Sequence, residues 1–164
     1  MPTFVHGKNS KFCVSAAATQ TTLIDLSTAL KEVNFPRQID MAETSAFGNT
    51  YKTYIQGLSD ATISASGQWA TGSATQIDDI LSGLVGATAA TNFAYAPAGF
   101  SSVTGTAPTY TDVTASASKP VIYGEVWLSS YEITGSIGDI VAVSCEFQMA
   151  TDPTVIRTGT YTPT

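Results

Sequence analysis

His6, Cys13, Cys145 and a few groups of carboxylates are the residues of this sequence whose types could do chemistry. General acid–base and nucleophilic catalysis usually lean on histidine, and the single histidine lies near the start of the chain, where ends tend to be mobile. Two cysteines and one histidine fall short of a four-ligand zinc site, and their spacing matches no metal-binding pattern. There is no G-x-S-x-G elbow, Walker loop, H-E-x-x-H or C-x-x-C. Glycoside hydrolysis needs two carboxylates facing one bond, but Asp78 and Asp79 are adjacent and diverge by roughly 100° on a helix. Glu125, Glu132 and Glu146 lie on two strand-like runs without the spacing of a catalytic pair. Tyr123, Trp127 and Tyr131 share a parity and suggest a stacking platform, yet no Arg or Lys interleaves them; packing under a helix or against another subunit is the plainer expectation. These residues predict no enzyme, no cofactor and no metal.

Composition narrows the class. The chain has 164 residues, enough for one domain with a real core. Apolar residues make up 43 % and charged residues only 12 %, about half the usual share, with Thr, Ser, Ala and Gly in their place. Such a mixture favours strands and turns over long helices or disorder. Residues 1–52 carry five bases against four acids, whereas residues 53–164 carry nine acids against Lys119 and Arg157 alone. Nucleic-acid affinity comes from Lys and Arg displacing counterions, so this balance argues against holding DNA. Two cysteines do not make a disulfide framework. No signal peptide and no run of some 18 apolar residues is visible, so a protein made in a cytoplasm, without a membrane partner, is expected.

Periodicity supplies the elements. Phe12, Val14 and Ala16 alternate with Lys11, Cys13 and Ser15, and Val33, Phe35 and Ile39 alternate with Glu32, Asn34, Gln38 and Asp40. Asp25 is placed to cap a single turn before that second run, and Pro36 marks an edge or bulge within it. Ala61, Ile63, Ala65, Gly67 and Trp69 alternate with Thr62, Ser64, Ser66 and Gln68. The period then changes: Ile77, Ile80, Leu81 and Leu84 recur at helical spacing behind Ser73-Ala74-Thr75-Gln76, which has the spacing of a capping box, and a helix is predicted over 74–84. Residues 86–118 read mostly as loop, with a strand hinted at Asn92–Tyr95. Runs at 121–134 and 139–150 form a hairpin, with Val143, Cys145 and Phe147 on one face and Ala142, Ser144, Glu146 and Gln148 on the other. The expectation is a mainly β chain, a β-sandwich or barrel of about seven strands with one flanking α-helix, as a single domain over 1–164 with extended termini.

Between the strands lies a long loop, about 41–60, carrying Phe47, Tyr51, Tyr54, Ile55 and Leu58. Loops of that length are usually functional or disordered, and this one has apolar groups to bury. The 121–134 run has large apolar residues on both faces, which implies cover by the helix or by a neighbouring copy. Self-assembly is the leading class, and a non-enzymatic binding module, for capsid decoration or carbohydrate, is the alternative.

Several motifs then fall in one order: Asp25-Leu26-Ser27, Val33-Asn34-Phe35, Ala42-Glu43-Thr44-Ser45-Ala46-Phe47-Gly48, Tyr54-Ile55-Gln56-Gly57-Leu58 and Asp60-Ala61-Thr62-Ile63-Ser64. With the closing stretch 131–161, they resemble the major tail (tail tube) proteins of long, non-contractile-tailed bacteriophages. The resemblance implies six copies per ring, inner strands joined into a continuous barrel, and rings stacked into a tube that conducts double-stranded DNA without binding it. It implies a virion tail protein assembled in the bacterial cytoplasm, with tape-measure and tail terminator proteins as partners. It further implies that the loop reaches another subunit through Glu43, Thr44, Phe47, Gly48, Lys52, Tyr54 and Gly57. Thr62, Ser64, Ser66, Gln68, Ser144, Glu146 and Gln148 are the candidates for a lumen that repels phosphates.

Overall fold

A computed structural model of the protein describes residues 4–17, 22–45, 50–103 and 112–160. Within them run β1 (Lys11–Ser15), β2 (Leu23–Asp25), β3 (Leu30–Asn34), β4 (Arg37–Glu43) and β5 (Tyr54–Gln68). After the helix α1 (Ile77–Leu84) come β6 (Thr91–Ala96), β7 (Ser102–Val103), β8 (Val113–Thr114), β9 (Val121–Thr134), β10 (Ala142–Met149) and β11 (Thr154–Ile156). The chain is mainly β, as composition and alternation predict. It has more strands than the expected seven or so, partly because Phe35-Pro36 breaks one predicted run into β3 and β4.

Nine strands form one antiparallel sheet in the order β2-β1-β6-β9-β10-β5-β3, with β4 continuing the ladder along β5 and β11 lying on β9. The two ends of that order, β2 and β3, are consecutive in the chain. Only Leu26–Ala29 joins them, so these edges stand no more than about 17 Å apart, far less than a flat sheet of that width would require. The sheet is therefore curled on itself but is not a closed barrel. Asp25 accepts a hydrogen bond from the Ser27 amide at 2.9 Å and holds the joining turn, while Leu26 is buried beneath it.

Curling brings distant strands together over one core. Phe12 of β1 lies 5.7 Å from Phe147 of β10, ring centre to ring centre, although β6 and β9 intervene in the ladder. Phe35, after β3, reaches Phe93 of β6 at 6.1 Å. α1 closes the core by burying Ile77, Ile80, Leu81 and Leu84 against it. The helix is shorter than the predicted 74–84. Gln76 takes the N-cap position without a side-chain hydrogen bond, so no capping box forms, and Gly86 at φ +72° ends it one turn past Gly83.

A second core explains the doubly apolar run at 121–134. Val121 and Tyr123 point to the other face of β9, where Cys13, Ala94, Ala96, Val113 and Ala115 cover them within the same chain. Burial on both faces there requires no neighbouring copy. Nor does parity hold along β9: Leu128 opposes Phe147 and Ser130 opposes Glu146, so Ser129 is an extra residue in a bulge. Tyr123 and Tyr131 consequently lie on opposite faces, and the three aromatics form no platform.

The stretch expected as a loop over 41–60 is largely strand. Arg37–Glu43 pairs with Tyr54–Ala61 in a two-stranded arm, and residues 44–45 and 50–53 lie outside its ladder. Period-two alternation fails along Tyr54-Ile55-Gln56-Gly57-Leu58-Ser59-Asp60, and the register shift after Ile39 breaks the pattern, so the β signal is hidden. Phe47 and Gly48 lie outside the described residues.

Gly67 is fixed by the curl. A Cβ there would stand 2.2 Å from the Ala29 carbonyl oxygen at the end of the joining turn and 2.7 Å from the Cα of Leu30, the first residue of β3. Gly67→Ala should force that turn off β5 and cost at least about 2 kcal/mol, measured as a drop in the denaturant midpoint. Unchanged stability would show that the turn yields freely.

Candidate functional site

One half of the sheet keeps a bare face. Alternation puts Ala61, Ile63, Ala65 and Gly67 inward along β5, and Thr62, Ser64, Ser66 and Gln68 outward. β10 repeats this with Val143, Cys145 and Phe147 buried and Ser144 and Glu146 exposed. Register then aligns the outward residues across four strands. One row reads Glu32–Ser66–Ser144–Glu132, and the next reads Asn34–Ser64–Glu146–Ser130. Gln68, Ala142 and Thr134 make a third row, and Thr62, Gln148 and Trp127 a fourth.

The result is a polar plate four strands wide, roughly 15 Å by 20 Å. It carries Glu32, Glu132 and Glu146 and no lysine or arginine in any of its four rows. Its middle forms a shallow concavity of about 310 Å³ floored by Ser64, Ser66 and Ser144. At its lower edge Gln148 donates to Asp60 Oδ1 at 2.5 Å and accepts from Thr62 Oγ1 at 3.2 Å, which fixes the amide across β5. Its rows offer hydroxyls, amides and carboxylates but no cation to pair with a phosphate.

All seven residues expected on one polar surface are in this plate. Sequence reading missed Glu32, Asn34, Ser130, Glu132 and Thr134 as members. The alternation of β3 carried the signal for the first two, whereas the Ser129 bulge inverted the parity of the other three.

Both lateral borders of the plate are open. β3 pairs with β5 on one side only, and the Trp127–Thr134 half of β9 pairs with β10 on one side only, among the described residues. Antiparallel alternation across β3, β5, β10 and β9 leaves the two borders running in opposite directions.

Behind the plate, α1 is tied to β9. The Tyr131 hydroxyl donates to Asp78 Oδ1 at 2.5 Å. That bond holds the Asp78 carboxyl below its ordinary value, while burial and then the carboxylate itself push the Tyr131 phenol well above its own. Asp79 instead accepts from the Gly72 amide at 3.1 Å, so the two aspartates serve the helix and no catalytic pair forms.

Beyond the plate's lower end projects the arm. Glu43 and Lys52 pair with each other at 3.0 Å, and the Thr44 amide donates to the Thr53 carbonyl at 2.8 Å, so these groups close their own hairpin. Gly57 lies against the backbone of Asp40, 3.2 Å from where its Cβ would be, at the register shift. Ile39, Met41, Tyr54, Ile55 and Leu58 are all exposed on it.

The remaining candidate groups are dispersed. His6 accepts from the Lys8 amide at 3.2 Å in a surface turn. Burial pushes the Cys145 thiol up to about 12 and the Cys13 thiol higher still, so both stay protonated and poor nucleophiles. Among the described residues, no group of three His, Cys, Asp or Glu is arranged for a metal. No helix among them is long and apolar enough to cross a membrane.

No family model and no curated protein matches the sequence. Solved structures do match the fold. A chain from the tail of an empty gene transfer agent (GTA) particle with C6 symmetry superposes with a TM-score of 0.71 at 11 % identity, over 93 % of this chain and 99 % of that one. The SPP1 tail tube matches with a TM-score of 0.67 at 11 % identity, over 95 % of this chain and 80 % of that one. A chain of the anti-feeding prophage (AFP) baseplate matches at 0.66 and 8 % identity, over 96 % and 98 %. This protein has the tail-tube-like fold.

Replacing Tyr131 by Phe removes the bond to Asp78. The Asp78 pKa, read by NMR titration, should rise towards that of a free aspartate, with a stability loss of roughly 1 kcal/mol at neutral pH. A folded-state pKa held low means the contribution is complete above the unfolded value and fades as pH falls through the folded one. Wild type and variant should therefore converge in acid, and a constant difference down to pH 2 would contradict the assignment.

Proposed function

We propose that this protein is the structural subunit of a bacteriophage tail tube, polymerising as stacked hexameric rings around a lumen through which DNA leaves. The carrying observation is the polar plate with two open, oppositely running borders. Placed side by side in a ring, the β9 border of one copy meets the β3 border of the next in antiparallel sense, and each copy contributes four strands. Six copies would give about 24 strands, and at roughly 4.8 Å each the backbone wall would be about 37 Å across before strand tilt widens it. The shared fold with the SPP1 tail tube supports a tube, and the C6 symmetry of the gene transfer agent tail supports this ring number.

In that arrangement Thr62, Ser64, Ser66, Gln68, Ser144, Glu146 and Gln148, with Glu32 and Glu132, face the bore. Carboxylates repel phosphates and hydroxyls offer no charge, so a duplex slides past without a bound state. The exposed apolar residues of the arm, with Phe47 and Gly48 beyond its described part, provide the contact to another copy, and Glu43 and Lys52 stiffen it. The role is structural, in the virion tail, with tape-measure and terminator proteins as partners and assembly in the host cytoplasm.

Electron microscopy of the concentrated protein tests the class. Hollow six-fold filaments are expected, whereas uniform globules at every concentration would favour a binding module. Ser144→Lys with Glu146→Lys should leave tubes intact and slow or stall genome ejection from particles carrying it. Ejection at the wild-type rate would remove the electrostatic role of the plate.

A further inference from the structure

Two features at opposite ends of the plate's strands are left unused by the fold. At the upper end, the β9–β10 turn holds Ile137 fully exposed and Ile140 at 68 %. The turn is shaped: Gly138 takes φ +96°, the Asp139 amide donates to the Ser136 carbonyl at 3.3 Å, and Ser136 Oγ donates to Asp139 Oδ2 at 3.2 Å. A pre-formed turn loses little entropy on docking, so its bare isoleucine is suited to insertion.

At the lower end, a groove of about 510 Å³ opens between the foot of the arm and the segment after β10. Ile39, Ala61, Met149 and Pro153 give it apolar walls, Arg37 and Asp152 stand in its lining, and Asp60, also there, accepts from the Gln148 side-chain amide. Among the described residues Arg37 pairs with Asp152 alone, 3.6 Å away, and that aspartate is 77 % exposed. An exposed pair of that length contributes little, so Arg37 is available to a better-placed carboxylate.

β10 alone separates the two features by about 26 Å of strand. No copy can seat its turn in its own groove. A contact of this kind is head-to-tail, joining the upper end of one copy to the lower end of another, and between copies stacked in line it propagates along the strand axis.

We infer that the β9–β10 turn of one copy inserts Ile137 and Ile140 into the arm-foot groove of a second copy in the next ring, with Asp139 against Arg37. This rests on the tube reading and adds the surface that stacks the rings. Apolar insertion supplies the affinity, and the Asp139–Arg37 pair sets the approach.

Cysteines at both positions, Ile137→Cys with Ile39→Cys, test it in assembled filaments with a short bismaleimide, the native thiols being buried. Covalent ladders running past six copies are expected. Intact filaments without cross-links, or ladders stopping at six, overturn the contact and leave the tube reading standing. Absence of filaments in the wild type overturns both. Ile137→Ser should raise the concentration needed for filaments at least roughly tenfold while leaving the melting temperature of the unassembled chain unchanged. Filaments at the wild-type concentration would also overturn the contact.

Discussion

Everything in this fold depends on the curl that lets Phe12 pack on Phe147 across two intervening strands. A sheet with one apolar face must cover it, and here much of the cover is the sheet's own far end. The four-residue turn at Leu26–Ala29 sets how tightly the ends approach, and Gly67 removes the side chain that would otherwise meet that turn. α1 fills the remaining opening with four apolar side chains and is held by Tyr131 on Asp78. With the interior satisfied in this way, the outer face of β3, β5, β10 and β9 is free to be polar.

Register shifts shape that outer face and the arm below it, the one between Leu30 and Glu32 setting Glu32 outward beside Ser66. The Ser129 bulge turns Tyr131 inward beneath α1 and Ser130 and Glu132 outward into the plate. Without it, an aromatic ring would stand where Glu132 now does. The shift between Ile39 and Met41 bends the arm at its foot, where Gly57 admits the Asp40 backbone. Beyond that point no second layer covers the sheet among the described residues, and Ile39, Met41 and Tyr54 continue the apolar face into solvent.

Cover on the remaining face is unequal, and that inequality is informative. Residues 113–115 shield Val121 and Tyr123, so the first half of β9 is enclosed by its own chain. Its second half keeps an open border and an anionic face. An enclosed body joined to an exposed border and an exposed arm is the arrangement in which assembly buries backbone donors and apolar groups that the monomer leaves in water.

Much of this was legible in the residues alone. Strict alternation from Ala61 to Gln68 and from Ala142 to Gln148 determined which side chains share a face, because the pleat leaves no other choice. Helical spacing at Ile77, Ile80, Leu81 and Leu84 determined α1 and its buried stripe. Low charge and the excess of acids after residue 53 argue against a phosphate-holding surface in that part of the chain. Tertiary structure alone decided the neighbours: that Glu32 and Glu132 flank the two predicted runs, that the doubly apolar half of β9 is covered internally, and that the supposed loop is a paired arm. Period-two patterning carries no information about which strand lies alongside, and one inserted residue such as Ser129 inverts it. Pairing over long separations is settled by the curl of the sheet, which no local stretch of sequence contains.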